Sequence, residues 1–299
     1  MKNLMIPALA LFLSAAAQAD DSPLWMRYCA ISPDGQTIAF SYQGDIYTVP
    51  SSGGKARQLT THPAHDTRPV WSPDGQKIAF ASNRSGNFDV FLMNKEGGEP
   101  KRLTTHSTNE YPTTFKDNGH ILYLANILQD AKDIQFPGTR FMQVYEISTD
   151  GGRPDLYSSL YMENIALSKD GSKLLYNDYK GYEDPWRKHH QSSITRDIWL
   201  CTLGKDRSFQ KVTTFGGEDR NPVWGAADGA SFYYLSEEKG SFNIFKKDLA
   251  GNSEKQITTH TTHPVRFLTS DNSGTLCYSY DGEIYTVKEG QKPAKVNIQ

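Results

Sequence analysis

The chain has 299 residues, 37% of them hydrophobic, with 24 glycines, 16 tyrosines and a formal charge of −2. That much apolar material in a chain of this length supports a large packed core and excludes a disordered polymer. The near-neutral balance offers no basic surface, so no nucleic-acid partner is expected.

Residues 1–19 read MKNLMIPALALFLSAAAQA. Lys2, the apolar run from Leu4 to Leu13 and the small residues ending Ala17-Gln18-Ala19 form the pattern of a secretory signal peptide cut after Ala19. The run is short for a membrane span, and no other stretch reaches the roughly 18 apolar residues that a spanning helix needs. Residues 20–299 are therefore expected to be exported, periplasmic or secreted, without a membrane span. No cysteine stands at the cleavage point to carry a lipid. Cys29, Cys201 and Cys277 are an odd number for an oxidising compartment, so no disulfide framework is expected. All three fall in predicted strands, where a free cysteine behaves as a small buried apolar residue.

From Trp25 onward one pattern recurs, most plainly in residues 66–106, DTRPVWSPDGQKIAFASNRSGNFDVFLMNKEGGEPKRLTTH. In Ser72-Pro73-Asp74-Gly75, Pro presets φ for the second position of a type I turn, Asp suits the third, and Gly takes the left-handed bulge position. The flanking segments Ile78-Ala79-Phe80 and Val90-Phe91-Leu92-Met93 are short, β-branched or aromatic, and bounded by turn formers, which predicts strands. With a strand ending at Val70-Trp71, a Gly-Gly turn and a closing strand Lys101 to Leu103, the unit is a four-stranded antiparallel meander. Versions of it occupy about 25–62, 66–106, 109–158, 160–214, 219–260 and 263–297, the third and fourth lengthened by insertions.

One such meander cannot bury both faces, so a repeat of roughly 40 residues predicts an all-β, six-bladed β-propeller of four-stranded antiparallel blades. A β-sandwich would not repeat its turn chemistry at matched offsets six times. Blade one starts with its own innermost strand and blade six ends with its own outermost, so no strand shared between first and last blades is expected.

The motifs SPDG, IAF, SxRxG, DIYxV, GG and RLTTH resemble the WD40-like repeats of TolB and of tricorn-type serine proteases. The long fourth blade, with Lys180-Gly181-Tyr182 before its insertion and Thr195-Arg196-Asp197-Ile198-Trp199 after it, resembles the amino-terminal six-bladed propeller of the tricorn-type enzymes. That resemblance covers nearly all of 20–299. It implies a non-catalytic module that gates or guides oligopeptides, with catalysis in domains absent from this chain, and homo-oligomerisation within a tricorn-like assembly. The alternative is a freestanding TolB-like propeller of the cell envelope that captures a protein partner on its insertion-bearing face.

In a propeller, the loop between strands two and three of each blade shares a face with the connector to the next blade. The insertions 126–140 and 178–196 lie on that face, where recognition loops are usually displayed. Aligning the inner strands by their turns brings Asp66, Glu110 and Asp219 to equivalent positions near the channel mouth, with Arg68 and Arg220 close by. Two readings follow: a charged ring that steers peptide termini, with arginine reaching carboxylates, or acids that accept hydrogen bonds from connectors and neighbouring blades. Trp186, Arg187, His189 and His190, an aromatic among cations on a displayed loop, suit contact with a protein or peptide, or else form a solvated charged loop.

The Thr-Thr-His segments ending at His62, His106 and His260 are spread around the ring, whereas a metal needs ligands converging within about 2 Å, so no metal is assigned. HExxH, GxSxG, a phosphate loop and paired cysteine motifs are all missing. Ser52-Gly53-Gly54-Lys55 matches Ser-x-x-Lys only formally, in an exposed hairpin. No catalytic residue and no cofactor is assigned.

Overall fold

The structure is a computed structural model that describes residues 23–127, 141–181, 191–225, 229–250 and 253–299. Residues 1–19, read above as a signal peptide, and the loop carrying Trp186, Arg187, His189 and His190 lie outside the described residues. Six four-stranded sheets are present, each a meander of consecutive antiparallel strands, so the all-β, six-bladed propeller read from the repeat is the observed fold. The inner strands are Arg27–Ile31, Asp66–Trp71, Glu110–Asp117, Met162–Leu167, Asp219–Trp224 and Arg266–Ser270. Each touches the inner strand on either side, and the last closes the ring against the first.

The turns form as their residues dictate. Gly75 has φ +67, and its amide donates to the Ser72 carbonyl at 2.8 Å. The Ser72 hydroxyl donates to Asp74 at 2.6 Å and accepts from the Lys77 amide at 2.9 Å. Blade four repeats both side-chain bonds at Ser168 and Asp170. One expected boundary moves: the outer strand of blade two is Gly97–Arg102, so the Gly-Gly pair opens the strand and is not a separate turn.

Second strands such as Lys77–Ser82 are buried almost continuously rather than on alternate residues. The reason is that both faces of every sheet are covered, which places the core between blades. Six apolar clusters fill the six seams. One joins Ile46 and Leu59 to Trp71, Ile78 and Phe80 of the next blade, and another joins Cys277 and Ile284 of blade six to Cys29 and Phe40 of blade one. A fully buried side chain such as Phe80 contributes roughly 2–3 kcal/mol. Polar staples add direction: Trp71 Nε1 donates to the Ala30 carbonyl at 2.9 Å and Trp224 Nε1 to the Ala166 carbonyl at 3.0 Å.

No strand is shared between blades one and six. Their seam is strapped instead by the segment after the last outer strand, which forms a parallel bridge between Ile298 and Gly54. The Gly54 amide donates to the Asn297 carbonyl at 2.8 Å and the Gln299 amide to the Gly54 carbonyl at 3.0 Å. Gly53 permits this approach, since its φ is +90 and a Cβ there would sit 2.7 Å from the Asn297 carbonyl oxygen.

The Thr-Thr segments are structural. Thr60, Thr104, Thr213 and Thr258 each accept, through Oγ1, an amide at the start of strand three in their own blade, from Ile46, Val90, Ile198 and Ile244 respectively (2.9–3.0 Å). This caps a buried donor that the ladder leaves open. The histidines that follow are tied locally: His62 Nδ1 accepts the Ala64 amide, His106 bonds Thr108, and His260 stacks on Tyr280 at 3.8 Å.

Candidate functional site

The inner strands enclose a cavity of about 840 Å³ along the propeller axis. Its chemistry is set by one backbone feature repeated around the ring. Five inner strands break register with strand two near their start, between Arg27 and Ala30, Thr67 and Val70, Glu163 and Ala166, Arg220 and Val223, and Arg266 and Thr269. Within each break one residue is left-handed: Tyr28 (φ 51), Arg68 (φ 56), Asn164 (φ 49), Asn221 (φ 52) and Phe267 (φ 55). All five line the cavity. A bulge of this kind re-aims a side chain that the pleat would otherwise send into a seam.

Asparagine tolerates the left-handed region. Tyr, Arg and Phe do so at a cost of about 1–2 kcal/mol each. In blade three the equivalent residue is Pro112, whose ring forbids positive φ, and the strand there breaks register between Pro112 and Thr114 instead. The preceding blade holds the left-handed residues by their amides. The Arg68 amide donates to Ser41 Oγ at 3.2 Å and the Asn221 amide to Asn177 Oδ1 at 2.9 Å.

The two sides of the ring differ. On one, Phe267, Tyr28, Arg68 and Tyr111 form a continuous arc from blade six to blade three. The Tyr28 and Phe267 rings are 4.5 Å apart, and the Arg68 guanidinium lies 5.2 Å from the Tyr28 ring centre and 4.3 Å from that of Tyr111. Burial pushes the Tyr111 hydroxyl pKa up, so it stays neutral across the physiological range. On the other side an amide chain runs between blades four and five: Asn221 Nδ2 donates to Asn164 Oδ1 at 3.2 Å, and Asn164 Nδ2 to Asn177 Oδ1 at 3.1 Å.

The arginines divide in the same way. Arg196 Nε donates to Glu163 at 2.8 Å, and its Nη1 is 3.3 Å from Glu218, which also takes Arg220 at 3.5 Å. Burial works against the charge of Arg196, but Glu163 and Glu218 outweigh it and hold its pKa above the usual value. Arg220 also lies over the Phe242 ring at 4.1 Å. Arg68, by contrast, has no carboxylate partner among the described residues.

Of the residues singled out from the sequence, Arg68 and Arg220 are in the cavity wall. Asp66, Glu110 and Asp219 are buried and outside that wall. Each ties its inner strand to the preceding blade, donating its amide to the carbonyl of Gly44, Phe88 or Arg196 at 2.7–3.0 Å. Asp66 pairs with Arg84 at 2.8 Å. Burial lifts the pKa of Glu110 to about 7, as it does that of Asp219. Tyr28, Tyr111, Asn164, Asn221 and Phe267 were missed. The signal was present: the alignment that matched Asp66 with Asp219, moved two residues onward, reads Tyr28, Arg68, Pro112, Asn164, Asn221 and Phe267.

Fold and cavity thus define a six-bladed propeller whose axial cavity is lined by its inner-strand bulges. Residues 23–293 match the model of the tricorn protease N-terminal beta propeller domain, and the chain belongs to that family. It is 23% identical over 268 residues to a tricorn protease homolog of Saccharolobus solfataricus, covering 87% of this chain and 23% of that protein. A crystal structure of the tricorn protease superposes with a TM-score of 0.74 at 21% identity, over 92% of this chain and 26% of the other. TolB from Acinetobacter baumannii superposes with a TM-score of 0.58 at 15% identity, over 91% and 66% respectively. The chain spans about a quarter of the tricorn relatives' length.

Proposed function

We propose that this propeller is the channel-bearing, non-catalytic module of an exported tricorn-type protease, through which oligopeptides pass toward or away from catalytic domains. The observation that carries this reading is the cavity on the ring axis, walled by side chains that strained bulges turn inward. A purely structural propeller would have no use for Tyr, Arg and Phe in left-handed conformations there. A volume of about 840 Å³ suits a short peptide. Membership of the tricorn family supports the association with proteolysis.

The test is the mass of the native polypeptide in an extract of its source, detected with an antibody against this propeller. A chain several times the 33.5 kDa of this sequence is expected. A single species at or just below that mass would refute the module and favour a freestanding propeller of the TolB kind.

A further inference from the structure

The two sides of the channel wall call for different ligands. On the side of blades four and five, donors and acceptors are already matched: Asn164, Asn177 and Asn221 bond one another, and Glu163 and Glu218 neutralise Arg196 and Arg220. Arg68 is the exception. Its backbone amide is satisfied by Ser41 and its guanidinium plane is held by the Tyr28 and Tyr111 faces, while its N–H groups meet no carboxylate among the described residues. Aromatic faces fix the direction of a guanidinium without consuming its in-plane donors. They also shield it from water, which strengthens any ion pair it makes.

We propose that Arg68 receives the terminal carboxylate of a peptide, and that the Tyr28–Phe267 pair beside it receives an aromatic or aliphatic last side chain. The proposal rests on the oligopeptide reading of the channel. A planar carboxylate matches the guanidinium fork with two parallel bonds and one unit of charge. A phosphate ion carries no side chain for the neighbouring Tyr28 and Phe267 rings to cover. The Tyr28 and Phe267 rings, 4.5 Å apart, present an apolar surface next to the charge. Both rings sit on left-handed residues, so the backbone is strained at each of the three groups the ligand would touch.

The experiment is calorimetric titration of the purified chain with N-acetyl-Ala-Phe as the free acid, the same peptide as its C-terminal amide, N-acetyl-Ala-Gly as the free acid, and inorganic phosphate. The Phe acid is expected to bind at least about tenfold more tightly than its amide and measurably more tightly than the Gly acid. Arg68→Gln should remove the preference for acid over amide, and Arg68→Lys should restore only part of it. Equal binding of acid and amide by the parent protein overturns the proposal, and needs no variant to fold. Unchanged binding by Arg68→Gln, phosphate binding as tight as the Phe acid, or no binding of the Phe acid at about 10 mM would each overturn it too. Amide and acid peptides bound alike would sink the carboxylate grip and leave the conduit standing. A native mass near 33.5 kDa would sink the protease module and leave the grip.

Discussion

Glu110→Gln is expected to leave stability nearly unchanged at about pH 4 and to raise it by about 3 kcal/mol at about pH 8. Glu110 opens the inner strand of blade three and is 1% exposed. Burial, helped by the nearby Asp89 carboxylate, lifts its pKa from 4.5 to about 7. Below the unfolded value both states carry the proton, and the residue contributes nothing to the pH dependence. Between about 4.5 and about 7 the folded chain keeps a proton that the unfolded chain has lost, so stability falls as pH rises. Above that window the full penalty remains, about 3 kcal/mol for a shift of this size. Glutamine keeps the shape and one oxygen to accept the His106 amide, which Glu110 Oε2 does now at 3.3 Å, and it cannot ionise. Asp219 is lifted in the same direction, but its slope is common to parent and variant and cancels in their difference. Thermal unfolding at about pH 5, 6, 7 and 8 should show the Tm difference growing to roughly 5 °C. A difference that is constant with pH, or larger at the acid end, would refute the reasoning.

Other expectations follow from single contacts. Gly53→Ala should lower stability by about 1–3 kcal/mol, because it combines a positive φ with a clash against the Asn297 carbonyl. Gly54→Ala, strained but in open space, should cost less in the same unfolding assay. Thr258→Val removes the acceptor for the Ile244 amide (2.9 Å) and the donor to Asn243 (3.0 Å), and urea titration should show a loss of about 1–3 kcal/mol. Cys29, Cys201 and Cys277 are all buried, and burial pushes the Cys201 and Cys277 thiols up. A thiol reagent should therefore find no fast-reacting cysteine until denaturant is added; rapid labelling of the native protein would contradict the burial. If residues 1–19 are a signal, Edman sequencing of the exported protein should begin at Asp20; an intact Met1 would count against export.

Much of the scaffold was legible because its signals are local. Ser72-Pro73-Asp74-Gly75 makes a turn by its own dihedral preferences and hydrogen bonds, and its counterparts in other blades mark the start of every second strand. The Gly-Gly pair of blade two misled by four residues, the strand starting at Gly97 and not Lys101, since glycine's freedom is as useful at the start of a strand as in a turn. The seam strap was not legible. Val296–Gln299 carries no strand signal of its own, and its bridge to Gly54 depends on a contact between opposite ends of the chain.

The site was half legible, and the reason lies in how a propeller divides its sequence. Residues that recur in several blades, such as the turn serines Ser32, Ser72 and Ser168 and the capping threonines Thr60, Thr104, Thr213 and Thr258, satisfy backbone groups of the meander, so recurrence marks scaffold. Asp66, Glu110 and Asp219 attract notice by recurring, and they tie each inner strand to the preceding blade. The column two residues onward attracts none, because Tyr28, Arg68, Pro112, Asn164, Asn221 and Phe267 share no single side-chain chemistry. They share a position on the strands that face the channel, and in five of six cases a left-handed backbone that places the side chain there. Where the amide of such a residue needs an acceptor, Ser41 or Asn177 of the preceding blade supplies it. At Pro112 no amide is available, and the corresponding residue of blade two is Ala81. The scaffold therefore fixes the backbone of the channel wall blade by blade and leaves its side chains free to differ, which is why the channel-facing column does not stand out in the sequence.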